Sequence, residues 1–333
     1  MSRLEKSISI GLRSCPGTIE KLLPMSSIEA TTLFARYNQH QIHIKRFRQE
    51  CTHGTPVLML HGSIEDGRIF YSKNGKGLAP FLAKNGFDVF IPDMVGRGKS
   101  KPKAGRRLAH SQFKAITEEI PSIIDFILNT TGKQTLSAVA HSWGGVLLMA
   151  YCARLKRSPI QAMVFLGTKR NIKTWSIARL FMVDLVWTAI GEVLTGLYGY
   201  LPAKKWKMGS SDEPAEMYRQ TRNWVYSDKW IDQDGFEYDN FLKENTMAPT
   251  LFLTGASDHV LGNQKDVARL KNVAKDGKHL MLLMSKENGF AKDYDHINIC
   301  TSKNGPDDHF PVVAQWLNGK ISVIWEKFGK IAL

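Results

Sequence analysis

The chain is short of cysteine and of acid. Its four cysteines, Cys15, Cys51, Cys152 and Cys300, are scattered through 333 residues with no C-x-x-C pair. That argues against a disulfide framework and a cysteine zinc site, and it suits a reducing compartment. Internal repeats and low-complexity tracts are absent, which excludes solenoids and arrays. The first 24 residues hold charges but no sustained apolar stretch of the kind a signal peptide needs. The most apolar window, 179–201, contains Arg179, Asp184 and Glu192. It reads as part of a folded body rather than a membrane span. A cytoplasmic location is the expectation. Acidic residues number 31 against 45 basic ones, a net charge of +14. The excess clusters at 43–48, 96–107, 167–173 and 203–208, and such a surface attracts anionic partners. No zinc spacing, RNP pattern or recognition-helix signature accompanies it, so no nucleic-acid partner is expected. The last cluster sits beside Trp206, just after the apolar window. Peripheral contact with an anionic membrane fits that placement better.

What is present is alternation. A composition of 43% hydrophobic and 23% charged residues supports a sizeable core. Residues 31–48, TTLFARYNQHQIHIKRFR, read as an antiparallel pair turning near Asn38. PVLMLHG (56–62), FDVFIPDM (87–94), TLSAVA (135–140) and IQAMVFLGT (160–168) are apolar runs expected of buried strands. Helical stretches separate them, one closed by Gly86 and one with Pro121 at a kink or a boundary. A further apolar helix follows from Gly144. From about 170 to 247 no core strand appears. Alternation resumes with PTLFLTGASD (249–258), a helix, KHLMLLMS (278–285) and a final helix in DDHFPVVAQWLNGK. This pattern predicts an α/β fold, a mainly parallel sheet with helices on both faces. The division expected is an N-terminal extension over 1–30, a core over 31–169 and 248–333, and an inserted helical cap over 170–247. Such a cap would cover the carboxyl edge of the sheet, where ligands bind.

The stretch AHSWGG holds the chemistry. A serine on a sharp strand-to-helix turn stands exposed at the top of the sheet and needs small residues two positions before and after, hence G-x-S-x-G. Here the serine is Ser142, flanked by Ala140 and Gly144. A seryl hydroxyl needs a base, and the base needs an orienting carboxylate, in the order Ser, acid, His. Asp258, ending a strand in GASDHVLG, and His296, in FAKDYDHINI, both fall at strand carboxyl ends. The position after the strand MVFLGTKRN offers no carboxylate, which favours Asp258. His309, in GPDDHFP at a helix start, is the competing base. His141 and His259 read as packing or supporting groups. The N–H of Trp143 and that of Ser63 are the expected oxyanion donors, with His61 and Gly62 shaping the second loop.

These landmarks resemble the α/β-hydrolase superfamily, and within it the lipase and esterase-like serine hydrolases. LMLHGS, FDVFIPDMVGRGKS, AHSWGG, LTGASDHV and YDHINI come in the family's order and together span most of 31–320. The departures are Ala140 for the first glycine, and Asn298 where acid-lipase-like relatives often carry a carboxylate. The resemblance implies cleavage of a carboxylic ester through a Ser142–His296–Asp258 triad and an acyl-enzyme, with no metal or organic cofactor. A serine at the elbow argues against dehalogenases and epoxide hydrolases, which usually present a carboxylate there. Thioesterase, lactonase and acyltransferase chemistry would use the same residues. A non-catalytic lipid-binding module is the other class. The cap is aromatic-rich, with Trp175, Trp187, Trp224 and Trp230 among many. Most must pack the cap onto the sheet, and the rest are expected to bound an apolar pocket for a hydrophobic acyl chain.

Overall fold

The computed structural model describes residues 27–50, 53–274 and 278–328. Eight strands form one sheet: β1 (Ile28–Tyr37), β2 (His40–Gln49), β3 (Pro56–Leu60), β4 (Asp88–Pro92), β5 (Leu136–His141), β6 (Ile160–Leu166), β7 (Thr250–Gly255) and β8 (His279–Met284). Their order is β1-β2-β4-β3-β5-β6-β7-β8. Strand β2 runs antiparallel to β1 and to β4, and every pairing from β4 to β8 is parallel. The parallel strands are the apolar runs, because helices cover both of their faces and leave no wet side for alternation. β1 starts at Ile28, earlier than the pair read from residue 31, and Asn38 turns it into β2 with φ of 51°. Most of the expected N-terminal extension, up to residue 26, lies outside the described residues, as do Cys15 and Cys51.

Helices α1 (Leu78–Lys84), α2 (Ile120–Thr131) and α3 (Trp143–Ala153) follow in the first half. The cap then brings α4 (Ile177–Tyr198), α5 (Ala215–Tyr226) and α6 (Tyr238–Glu244). The second half adds α7 (Gln264–Lys271), α8 (Phe310–Leu317) and α9 (Ile321–Phe328). Side chains of α2, α3 and α7 fill one face of the sheet, and those of α1, α8 and α9 fill the other. Pro121 resolves as a boundary. It sits in the first turn of α2, where the chain passes from the π-helical stretch Ala115–Glu119 into regular α-helix. α9 docks on its own body, with Ile324 and Phe328 buried and the Phe328 ring stacked 5.4 Å from that of Phe290.

Residues between β6 and β7 contribute no strand to the main sheet, only a short ribbon pairing Tyr200–Leu201 with Glu213–Pro214. A buried ion pair ties this block to the core: the Arg97 guanidinium, from the loop after β4, meets Glu213, with Nε 2.9 Å from Oε2. The same oxygen accepts the Ile64 N–H at 2.8 Å. Beneath the cap, Trp224, Trp230 and Tyr238 interlock at centroid distances of 5.1–5.6 Å, while Trp143 approaches Trp224 from α3. These aromatics pack the cap on the core, whereas Trp175 and Trp206 point to solvent.

Candidate active site

Ser142 sits between β5 and α3 with φ 50° and ψ −122°, a conformation that costs a non-glycine residue of order 1–3 kcal/mol. Its surroundings enforce the strain. The Ser142 N–H donates to the Leu166 carbonyl at 2.8 Å, and the chain turns at once into a buried helix. Gly144 is required, because a Cβ there would lie 2.5 Å from the Leu60 carbonyl oxygen and 2.6 Å from that of His61. Ala140 lies within β5, opposite Leu60 and Phe165, where a methyl group fits without strain.

The elbow faces two loops at the same sheet edge. His296 places Nε2 2.9 Å from Ser142 Oγ and Nδ1 2.6 Å from Asp258 Oδ2. Gly262 N–H donates to the other Asp258 oxygen at 2.8 Å. With Nδ1–H donating to the carboxylate, Nε2 is left as the acceptor for the serine proton. Burial alone would raise the Asp258 carboxyl. His296, its hydrogen bond, Lys169 and Gly262 together hold it below its ordinary value. Burial chiefly lowers the imidazole of His296, outweighing Asp258, so it stays neutral further into acid. Ser142, His296 and Asp258 are only 8%, 9% and 6% exposed, so the relay is held largely out of water. His309 is elsewhere, buried with Nε2 2.7 Å from the Ile299 carbonyl. His259 carries no link to this relay; its carbonyl accepts from Asn263.

The loop after β3 comes equally close. A Cβ on Gly62 would lie 2.9 Å from Ser142 Cβ, so glycine lets the backbone around Ser63 approach the serine. Trp143 opens α3, and a first-turn N–H has no intrahelical acceptor. Among the described residues the buried Ser63 hydroxyl has no hydrogen-bond partner. His61 holds the loop to its neighbour, its Nε2 accepting the Met94 N–H at 3.1 Å.

Two groups of the site were not singled out from sequence. Glu65 accepts from His141 Nδ1 at 2.8 Å and from Gly62 N–H at 3.0 Å, and His141 Nε2 reaches the His296 carbonyl at 2.8 Å. Both ring nitrogens face acceptors, an arrangement that favours the doubly protonated form of His141. Burial opposes that charge, but the Glu65 carboxylate outweighs it and raises His141, while His141 in turn helps bring Glu65 down to about 2. This strap ties the loop after β3, the elbow and the histidine loop into one rigid unit. The second group is Lys169, whose Nζ lies 3.3 Å from Ser142 Oγ. It stands in the loop after β6, which offers no carboxylate. Among the described residues no carboxylate lies within ion-pair distance of it, and burial chiefly pushes it down to about 8.

Lys169 makes a pH prediction. A protonated ammonium beside Oγ stabilises negative charge developing there, and it is lost as pH rises through about 8. Hydrolysis should fall on the alkaline side of that value as well as on the acid side of His296. Lys169→Met should remove the alkaline limb and slow the reaction roughly tenfold or more. A wild-type profile flat into strong alkali would refute this role for Lys169.

Comparison with known proteins bears on the fold. A family model described as the alpha/beta hydrolase fold matches residues 55–205. An esterase from Thermogutta terrifontis superposes with a TM-score of 0.54 at 15% identity, covering 88% of this chain and 99% of that one. The esterase EaEST from Exiguobacterium antarcticum gives 0.55 at 13% identity, covering 88% and 100%. The chain has the α/β-hydrolase fold. A curated relative, Sterol esterase 2 of Saccharomyces cerevisiae, is 30% identical over 96 residues, covering 27% of this chain. The match spans 18% of that protein's length. At such identities the superpositions establish the hydrolase fold, and the chemistry rests on the site itself.

Proposed function

We propose that the protein is a serine hydrolase that cleaves carboxylic esters bearing a hydrophobic acyl chain. The observation that carries this reading is the continuous relay from Ser142 through His296 to Asp258, at 2.9 and 2.6 Å. In it, Ser142 Oγ attacks the ester carbonyl while His296 Nε2 takes the hydroxyl proton. Asp258 stabilises the imidazolium that forms. The N–H groups of Trp143 and Ser63 receive the oxyanion. Collapse of the tetrahedral intermediate breaks the bond to the alcohol, which leaves with the proton from His296. Water, deprotonated by His296, then releases the acid from the acyl-enzyme. The apolar acyl preference is supported by the aromatic content of the segment inserted between β6 and β7. The limited likeness to a sterol esterase points toward the same substrate class.

A fluorophosphonate probe should label the wild-type protein, and 4-nitrophenyl esters from acetate to laurate give the chain-length test. kcat/KM is expected to rise by up to about fourfold per methylene that the site buries. A preference for short or charged acyl groups would refute the hydrophobic-acyl reading, and failure of the probe on folded protein would refute the activated serine. The same series made as thioesters, and run with an added alcohol, separates ester hydrolysis from thioesterase and acyltransferase chemistry.

A further inference from the structure

The cap carries an apolar face that nothing in the chain covers among the described residues. Of α4, Ile177, Phe181, Leu185, Val193 and Leu197 stand 47–76% exposed, with Ala189 also exposed in the same row. These positions recur every four residues. In a regular α-helix such a row drifts by about 40° at each step and would wind into the body. The wider turns of the π-helical stretch Leu180–Ile190 oppose that drift and keep the row facing outward. The helix is long and apolar enough to cross a bilayer, yet it is seated on the body through Val183, Leu194 and Thr195. The Tyr218 hydroxyl also donates to the Trp187 carbonyl. A helix held along its length in this way lies in an interface rather than through it.

Its flanks decide the partner. Trp175 before the helix and Trp206 after it are 70% and 51% exposed, and tryptophan favours the headgroup level of a bilayer. The two acids of the helix are already neutralised, Asp184 by Arg179 at 3.3 Å and Glu192 by Arg219 and Arg222 at 3.0 and 2.5 Å. Beyond the C-terminal end lie Lys204, Lys205 and Lys207, all exposed, and among the described residues none has an acidic partner within ion-pair distance. Arg106 joins them, donating to the Leu197 carbonyl at 2.6 Å. A second copy of a chain with net charge +14 would bring like charges together, whereas an anionic lipid surface satisfies both the apolar row and the lysines.

We infer that α4 and the 204–207 lysines form a docking surface for anionic membranes, with α4 lying in the headgroup plane. The inference is independent of the ester chemistry. The experiment is co-sedimentation of the full chain with phosphatidylcholine vesicles, with and without phosphatidylserine. Binding is expected to the serine-lipid vesicles and to weaken with added salt. The variant Leu185→Ser/Val193→Ser should lose it, and Lys204→Glu/Lys205→Glu/Lys207→Glu should weaken it by at least about a hundredfold. Both should keep wild-type melting behaviour and hydrolysis of a soluble butyrate ester, which separates this result from any failure of the enzymatic reading. Wild-type protein that stays in the supernatant, or variants that bind undiminished, would overturn the inference. So would a dimer in sedimentation velocity that Leu185→Ser/Val193→Ser dissolves.

Discussion

Ser142→Ala should lower kcat for ester hydrolysis by about five orders of magnitude or more and abolish fluorophosphonate labelling. The replacement removes one oxygen and leaves the elbow standing. Alanine occupies the same strained φ, the Leu166 carbonyl keeps its N–H donor, and Gly144 still passes the two carbonyls of the loop after β3. His296 keeps Asp258 and loses only its acceptor role toward Oγ. A residual rate well above water is expected from the oxyanion donors, since they still polarise a bound carbonyl. Unchanged melting with lost activity makes the assignment; a variant that retains a tenth of the wild-type rate would refute Ser142 as nucleophile.

Asp258→Asn should cost about four orders of magnitude in kcat with little change in stability. The side chain keeps its shape, and its carbonyl oxygen can still accept the Gly262 N–H. The amide nitrogen then faces His296 Nδ1 and donates to it, which places the ring proton on Nε2, where it can no longer take the serine proton. The imidazolium of the transition state also loses its counter-charge, with the Lys169 ammonium nearby to repel it. Single-turnover acylation by a chromogenic ester measures this step directly. A drop of less than tenfold would mean that another carboxylate orients the base; the nearest candidate, Glu65, is committed to His141.

Both predictions concern residues visible in the linear chain, and the reason is local. Ser142 lies between an apolar strand run and two glycines, Asp258 stands three residues after β7, and His296 lies in the loop that follows β8. A nucleophile elbow is a backbone feature, so its neighbours in sequence are also its neighbours in space. Glu65 and Lys169 are different. Glu65 acts on His141 across 76 positions, and nothing in HGSIED distinguishes that carboxylate from a surface charge. Lys169 follows β6 in a basic cluster, and nothing in the linear chain separates it from a solvated lysine.

The apolar content of the cap was equally plain, but which way each side chain pointed was not. Trp224 and Trp230 interlock beneath the cap while Trp175 and Trp206 face outward, and composition treats all four alike. The turn type of α4 decides the facing of its apolar row, and π-helical turns carry no sequence signature of their own. The α/β alternation, the order of Ser142, Asp258 and His296, and the surplus of positive charge are legible in the linear chain. The acceptors around His141, the burial of Lys169 beside Ser142 and the outward face of α4 emerge only on folding. Those three depend on contacts or exposures between segments distant in the chain, and chain folding alone brings such segments together.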